Sequence, residues 1–151
     1  MYIRALDKRD IETATGLVKE VFNEFEVSEY LQQGIDEFFR FIEPQAIKEM
    51  MDKRELVLWG CFDGALLTGV IAAKSLNHIS LLFVRKQYHR KGIARKLFEQ
   101  AKAVCAANGA KSITVNSSPY AVEAYRRLGF AATGEEQTIN GIRFTPMRCS
   151  L

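Results

Sequence analysis

Cysteine is scarce in these 151 residues. Only Cys61, Cys105 and Cys149 occur, an odd number, widely spaced and with no C-x-x-C pair, which argues against a disulfide framework or a zinc site. All three read as buried small hydrophobes. No apolar run approaches the ~18 residues of a membrane span, and the start, Met1-Tyr2-Ile3-Arg4, has no basic stretch leading into an apolar core. Two phosphate signatures are also missing. There is no G-x-x-x-x-G-K-[ST], and no G-x-G-x-x-G follows a first strand, so a nucleotide-hydrolysing P-loop and a dinucleotide fold are unsupported. No repeat, linker or low-complexity tract divides the chain. The expectation is a soluble, cytoplasmic protein of one domain, residues 1–151, without a metal and without a membrane partner. Such a chain buries roughly 68–70% of its extended surface.

Charge is present but unevenly placed. Residues 1–55 carry 13 Asp and Glu against 8 Lys and Arg, whereas residues 56–151 carry 5 against 13, so segments of −5 and +8 make up the net +3. An acidic part bordering an acceptor favours a cationic ligand and a basic part favours phosphates. Plain solvation of charged helices accounts for the acidic part equally well. The cations of the basic part form no aromatic-interleaved stripe, so no nucleic-acid partner is expected.

The richest stretch is Tyr88-His89-Arg90-Lys91-Gly92-Ile93-Ala94-Arg95-Lys96, where cations gather at an expected helix start. Free N–H groups and the positive end of the macrodipole already lie there, so each added cation costs roughly 0.3–1 kcal/mol. A polyanion removes the conflict, because a glycine-bearing turn opening a helix cradles phosphate with backbone amides. Residues 76–84 before it are β-rich. Ile93, Ala94, Leu97, Phe98, Ala101, Val104 and Cys105 after it form an amphipathic stripe that Asn108-Gly109 stops.

The remaining pattern predicts a first strand over residues 2–6 and a helix capped by Asp10 carrying Ile11, Ala14, Leu17, Val18, Val21, Phe22 and Phe25. A second helix capped by Ser28 carries Leu31, Ile35, Phe38, Phe39 and Ile42, and a third starts at Pro44. Strands over 54–62 and 65–73 turn at Asp63-Gly64, and strands near 131–139 and 142–149 turn at Asn140-Gly141. The fold class is α/β, a mixed sheet with helices on both faces.

Two segments resemble the GNAT superfamily of acyl-CoA-dependent N-acetyltransferases. Leu82-Phe83-Val84 followed by His89-Arg90-Lys91-Gly92-Ile93-Ala94 is similar to its strand, then Gln/Arg-x-x-Gly-x-Gly/Ala, with His89 in the Gln/Arg slot. Asn116-Ser117-Ser118, then Ala121 and Tyr125-Arg126-Arg127-Leu128-Gly129-Phe130, is similar to its Asn...Ala...Tyr-x-x-Leu-Gly-Phe segment, with Ser118 in the commonest Asn slot. The resemblance covers nearly the whole chain. It implies a central twisted, mostly antiparallel sheet splayed between strands 4 and 5.

It further implies transfer of an acetyl group from acetyl-CoA to an amine acceptor, by direct attack in a ternary complex. Leu82, Phe83, Val84, His89, Arg90, Lys91, Gly92, Ile93, Ala94, Arg95, Asn116 and Ser118 are then cofactor-binding. The pantetheine arm pairs as an added strand between residues 76–84 and 111–116, and a freed N–H near Phe83 or Val84 faces the thioester carbonyl. Tyr125 is the general acid for the departing thiolate, and His89 is a cofactor-side contact. The base stays open among His78, which titrates in the useful range, Glu24, Glu26 and a water chain. A small-molecule primary amine is the expected acceptor; a peptide or protein amine, and a non-catalytic acyl-CoA sensor, are the alternatives. A homodimer is compatible with all three.

Overall fold

The computed structural model describes all residues 1–151. Eight strands form one sheet of order β1-β2-β3-β4-β5-β8-β6, with β7 also paired to β8. The strands are β1 Tyr2–Ala5, β2 Leu56–Asp63, β3 Leu66–Lys74, β4 His78–Val84, β5 Ser112–Ser117, β6 Ala131–Ala132, β7 Gln137–Ile139 and β8 Ile142–Ser150. All neighbours are antiparallel except β4 and β5.

Helices α1 (Ile11–Phe25), α2 (Gln32–Phe41) and α3 (Pro44–Asp52) cover one face, and α4 (Ile93–Ala107) and α5 (Val122–Arg127) cover the other. The central strand β3 is therefore buried on both sides over Leu67–Ala73, which is why it reads as a continuous apolar run. Along α1, Ile11, Ala14, Leu17, Val18, Val21 and Phe22 are buried, each large side chain contributing about 1.5–3 kcal/mol.

Three expectations need correction. Asp10 does not cap α1 with its side chain. Its carboxylate accepts from the Asp7 N–H at 2.8 Å and pairs with Arg4, while Asp7 forms the capping box one turn earlier. Ser28 does not cap α2; it lies inside a 3₁₀ turn, Val27–Glu29, and α2 starts at Gln32 after Leu31. That tight turn brings both Glu26 and Tyr30 to the cleft described below. The strand near 131–139 is two short ones, β6 and β7, separated by residues 133–136.

Both hairpins form, the first with Gly64-Ala65 rather than Asp63-Gly64 at its tip, because Asp63 still pairs with Leu66. Asn140 (φ 52°) and Gly141 (φ 79°) are both left-handed, the backbone a two-residue I′ turn requires. This turn docks on α2: Leu31 N–H donates to the Gly141 carbonyl at 3.0 Å, and a Cβ at Gly34 would collide with that same carbonyl.

Candidate functional site

Strands β4 and β5 are paired only at their beginnings, His78 with Thr114 and Ile79 with Val115. Beyond that they part. A bulge starts the separation: Ala72 faces Leu81 and Ala73 faces Ile79, leaving Ser80 as an extra residue in β4. The Arg85 N–H bonds back to Thr68 on β3 at 2.8 Å. Strand alternation then turns the peptide groups of Leu82 and Val84 toward the gap, where β5 no longer pairs with them. An unpaired strand edge faces a cleft.

The cleft is lined by Ile79 to Phe83 of β4, Val115, Asn116 and Ser118 from β5 and its end, Ala121 and Tyr125 beyond, and Glu26, Tyr30 and Phe38 from the α1–α2 side. It is a partly open cleft with a volume of about 60 Å³. That is the scale of reacting groups rather than of a whole cofactor.

At the outer end of β4 lies the basic turn. A 3₁₀ turn over Lys86–Tyr88 leads to His89, then Arg90 (φ 62°) and Gly92 (φ 76°) in left-handed conformation, and α4 begins at Ile93. The first bond of α4 runs from Lys96 N–H to the Gly92 carbonyl at 3.1 Å. The amides of Ile93, Ala94 and Arg95 are thus helix-initial donors. A Cβ at Gly92 would meet nothing within 4 Å, so the glycine serves the left-handed backbone and leaves open space before the amides. Buried Gly69 allows close seating of α4, since its Cβ would press on Ile93 at 3.0 Å and Leu97 at 3.1 Å. An anionic diester fits this cradle.

The cations of the turn have different occupations. Arg90, Lys91 and Gly92 are exposed, with Lys91 Nζ lying 5.5 Å from the Tyr88 ring centre. Arg95 reaches across to donate to the Arg127 carbonyl at 2.6 Å, capping the end of α5. His89 donates from Nε2 to the Val84 carbonyl at 2.7 Å and packs beside Phe25 at 5.2 Å. It ties the turn to the end of β4.

Tyr125 is 7% exposed and lines the cleft. Burial, aided by nearby Glu26, raises its pKa well above the ordinary phenol value, so it stays protonated at neutral pH and able to donate. Tyr30 lines the same space and is raised in the same way. His78 lies elsewhere: it sits at the paired end of β4, outside the cleft lining, sharing a 2.8 Å hydrogen bond with Thr114. Burial and Lys74 lower its pKa.

Glu26 is the group that sequence reasoning named without selecting. The residue is 8% exposed, lines the cleft and has no ion-pair partner. Burial pushes it up to about 7, with the charge of Glu29 adding to the rise and Ser118 partly opposing it. The signal was available in spacing, because Glu26 follows Phe22 by four residues and continues the buried stripe of α1. No group of three His, Cys, Asp or Glu side chains is placed to hold a metal, and no helix is long and apolar enough to cross a membrane.

Comparison with known proteins agrees with this geometry. No curated protein sequence matches the chain. Among solved structures, a GCN5-related N-acetyltransferase from Rhodopseudomonas palustris is similar at a TM-score of 0.81 and 19% identity, over 99% of this chain and 95% of that one. The PaiA N-acetyltransferase of Thermoplasma acidophilum in complex with coenzyme A gives 0.81 and 17%, over 99% and 98%. An aminoglycoside 6′-N-acetyltransferase complexed with coenzyme A gives 0.69 and 14%, over 99% and 97%. At these identities the likeness is one of fold. The family profile described as the acetyltransferase (GNAT) domain matches residues 26–151, a span that includes the bulged β4, the basic turn and Tyr125. The chain therefore belongs to the GNAT acetyltransferase family, and its reaction class is acyl transfer.

Proposed function

We propose that residues 1–151 act as one N-acetyltransferase domain that moves an acetyl group from acetyl-CoA to a primary amine of a small molecule, by direct attack in a ternary complex. The observation that carries this reading is the gap between β4 and β5, with free helix-initial amides at its outer end and Glu26 and Tyr125 at its inner end. Acetyl-CoA supplies an activated thioester. Ile93, Ala94 and Arg95 hold its pyrophosphate with backbone amides while Arg90 and Lys91 add charge. Leu82 and Val84, on either side of Phe83, offer the arm an unpaired edge, and Asn116 and Ser118 form the facing wall.

A peptide N–H of Leu82 or Val84 donates to the thioester oxygen as charge develops there, an interaction worth roughly 2.7–4 kcal/mol. Glu26, whose pKa burial pushes up to about 7, removes a proton from the attacking nitrogen in its ionised form. The Tyr125 hydroxyl gives a proton to the departing sulfur. His78 has no part in these steps. The cytoplasm supplies acetyl-CoA and keeps the three buried, unpaired cysteines reduced.

The reading is tested by incubating the protein with acetyl-CoA and a panel of primary amines and following free thiol. Amine-dependent thiol release supports it. Tight coenzyme A binding without release from any amine, peptide N-termini included, assigns the chain to acyl-CoA sensing instead.

A further inference from the structure

Beyond the reacting groups, the rim of the cleft carries a second built feature. Tyr120 is 47% exposed, yet its ring lies flat on Phe25 at 5.1 Å and 21°, and its backbone N–H donates to Glu29 Oε1 at 3.2 Å. An aromatic face is thereby held at the mouth. Partial burial raises the Tyr120 hydroxyl, and the charges of Glu26, Glu24 and Glu29 add to the rise. Of these, Glu24 is neutralised by Lys86 at 2.9 Å, whereas Glu26 and Glu29 have no cation within ion-pair distance.

The turn that joins them fixes their relation. The Glu29 N–H donates to the Glu26 carbonyl at 2.9 Å across the 3₁₀ turn Val27–Glu29. In that geometry residues three apart eclipse, about 6 Å from each other along the axis. One carboxylate therefore lines the cleft, and a second stands one 3₁₀ turn away, bonded to the backbone of Tyr120, whose ring is half exposed. A single ammonium satisfies only the inner one.

We propose that the acceptor carries a second positive charge, a short di- or polyamine whose reacting nitrogen sits at Glu26 while its next ammonium lies between Glu29 and the face of Tyr120. The proposal rests on the acetyl-transfer reading above. The outer ammonium gains a carboxylate and a cation–π contact together. A peptide N-terminus offers this rim a carbonyl oxygen instead, which Glu29 repels.

The test compares butylamine with 1,4-diaminobutane as acceptors, by kcat/KM from thiol release with acetyl-CoA. The diamine is expected to be favoured by about tenfold or more. In Glu29→Gln the amide oxygen still accepts the Tyr120 N–H, so only the charge is removed; the preference is expected to fall toward unity through KM. Tyr120→Leu reduces it about threefold. Equal use of the two amines by the wild type, or a preference unchanged in Glu29→Gln, overturns the proposal. A second arm needs no turnover: 1,4-diaminobutane is titrated calorimetrically into protein saturated with coenzyme A. Binding by the wild type that weakens in Glu29→Gln supports the rim site even if no amine is acetylated, a result that would defeat the acetyl-transfer reading alone. No binding of the diamine and no diamine preference would defeat the rim site.

Discussion

At the outer end of the β4–β5 gap the groups on offer are backbone amides, opened by two left-handed residues and ringed by exposed cations; at the inner end they are a buried carboxyl, a buried phenol and a half-buried one. The outer end depends on backbone shape, so most of its side chains are replaceable. The inner end depends on groups whose titration burial has altered, and each is costly to bury. Placing an acid and an unpaired carboxyl in one small space separates their roles: Tyr125 is held protonated while Glu26 is left near the working pH. On the proposed reading, polyanion binding rests on local geometry and proton transfer on tertiary burial.

The largest expected effect breaks the inner end. Tyr125→Phe keeps the ring that packs on Phe130 at 5.4 Å and removes the hydroxyl, so turnover is expected to fall ~10²–10⁴-fold with coenzyme A affinity similar by calorimetry. Full turnover would make solvent the proton's source.

Next comes the outer end. Gly92→Asp places a negative charge in the open space before the α4 amides, and coenzyme A affinity is expected to drop about a hundredfold, roughly 2.7 kcal/mol. Gly92→Asn has a similar tolerance of left-handed backbone without the charge, so a much smaller loss there would assign the effect to charge. Equal losses would assign it to shape, and unchanged affinity in both would move the phosphate site elsewhere.

The outer end and the element order were legible in the sequence because they are local. The basic turn, the α4 stripe from Ile93 to Cys105, the Asp63-Gly64 and Asn140-Gly141 hairpins and the Pro44 start all lie within a few residues of their own signals. The inner end was not, because Glu26, Tyr30, Phe38 and Tyr125 meet only after three segments pack. Glu26 was therefore one carboxylate among several, and His78 competed with it on titration range alone. Ser80 carries no mark of a bulge, since its register is set by pairing with β3. Ser28 looked like a helix cap, but the chain bends through a 3₁₀ turn there.

A smaller effect sharpens the contrast at the supporting wall. Gly34→Ala forces a methyl against the Gly141 carbonyl, an overpacking expected to cost about 1–3 kcal/mol and readable as a lowered denaturant midpoint. Because this contact braces the acceptor side, KM for the amine is expected to rise more than that for acetyl-CoA. An unchanged midpoint would show that the hairpin moves freely away from α2.

Glu26 tests the central claim most directly. Its folded-state pKa of about 7 lies above the ordinary 4.5, so between those values the folded chain binds more protons than the unfolded one and stability falls as pH rises. Glu26→Gln abolishes that loss. The one measurement is a paired pH series from 5 to 9, melting temperature and kcat/KM on the same wild-type and Glu26→Gln samples. The account predicts that by pH 8 the variant is the more stable by about 3 kcal/mol, some 5–10 °C, while its turnover has lost the rise near pH 7 and keeps only the amine's own titration. A variant that melts lower than wild type at pH 8, or one that retains the rise near pH 7, would contradict it.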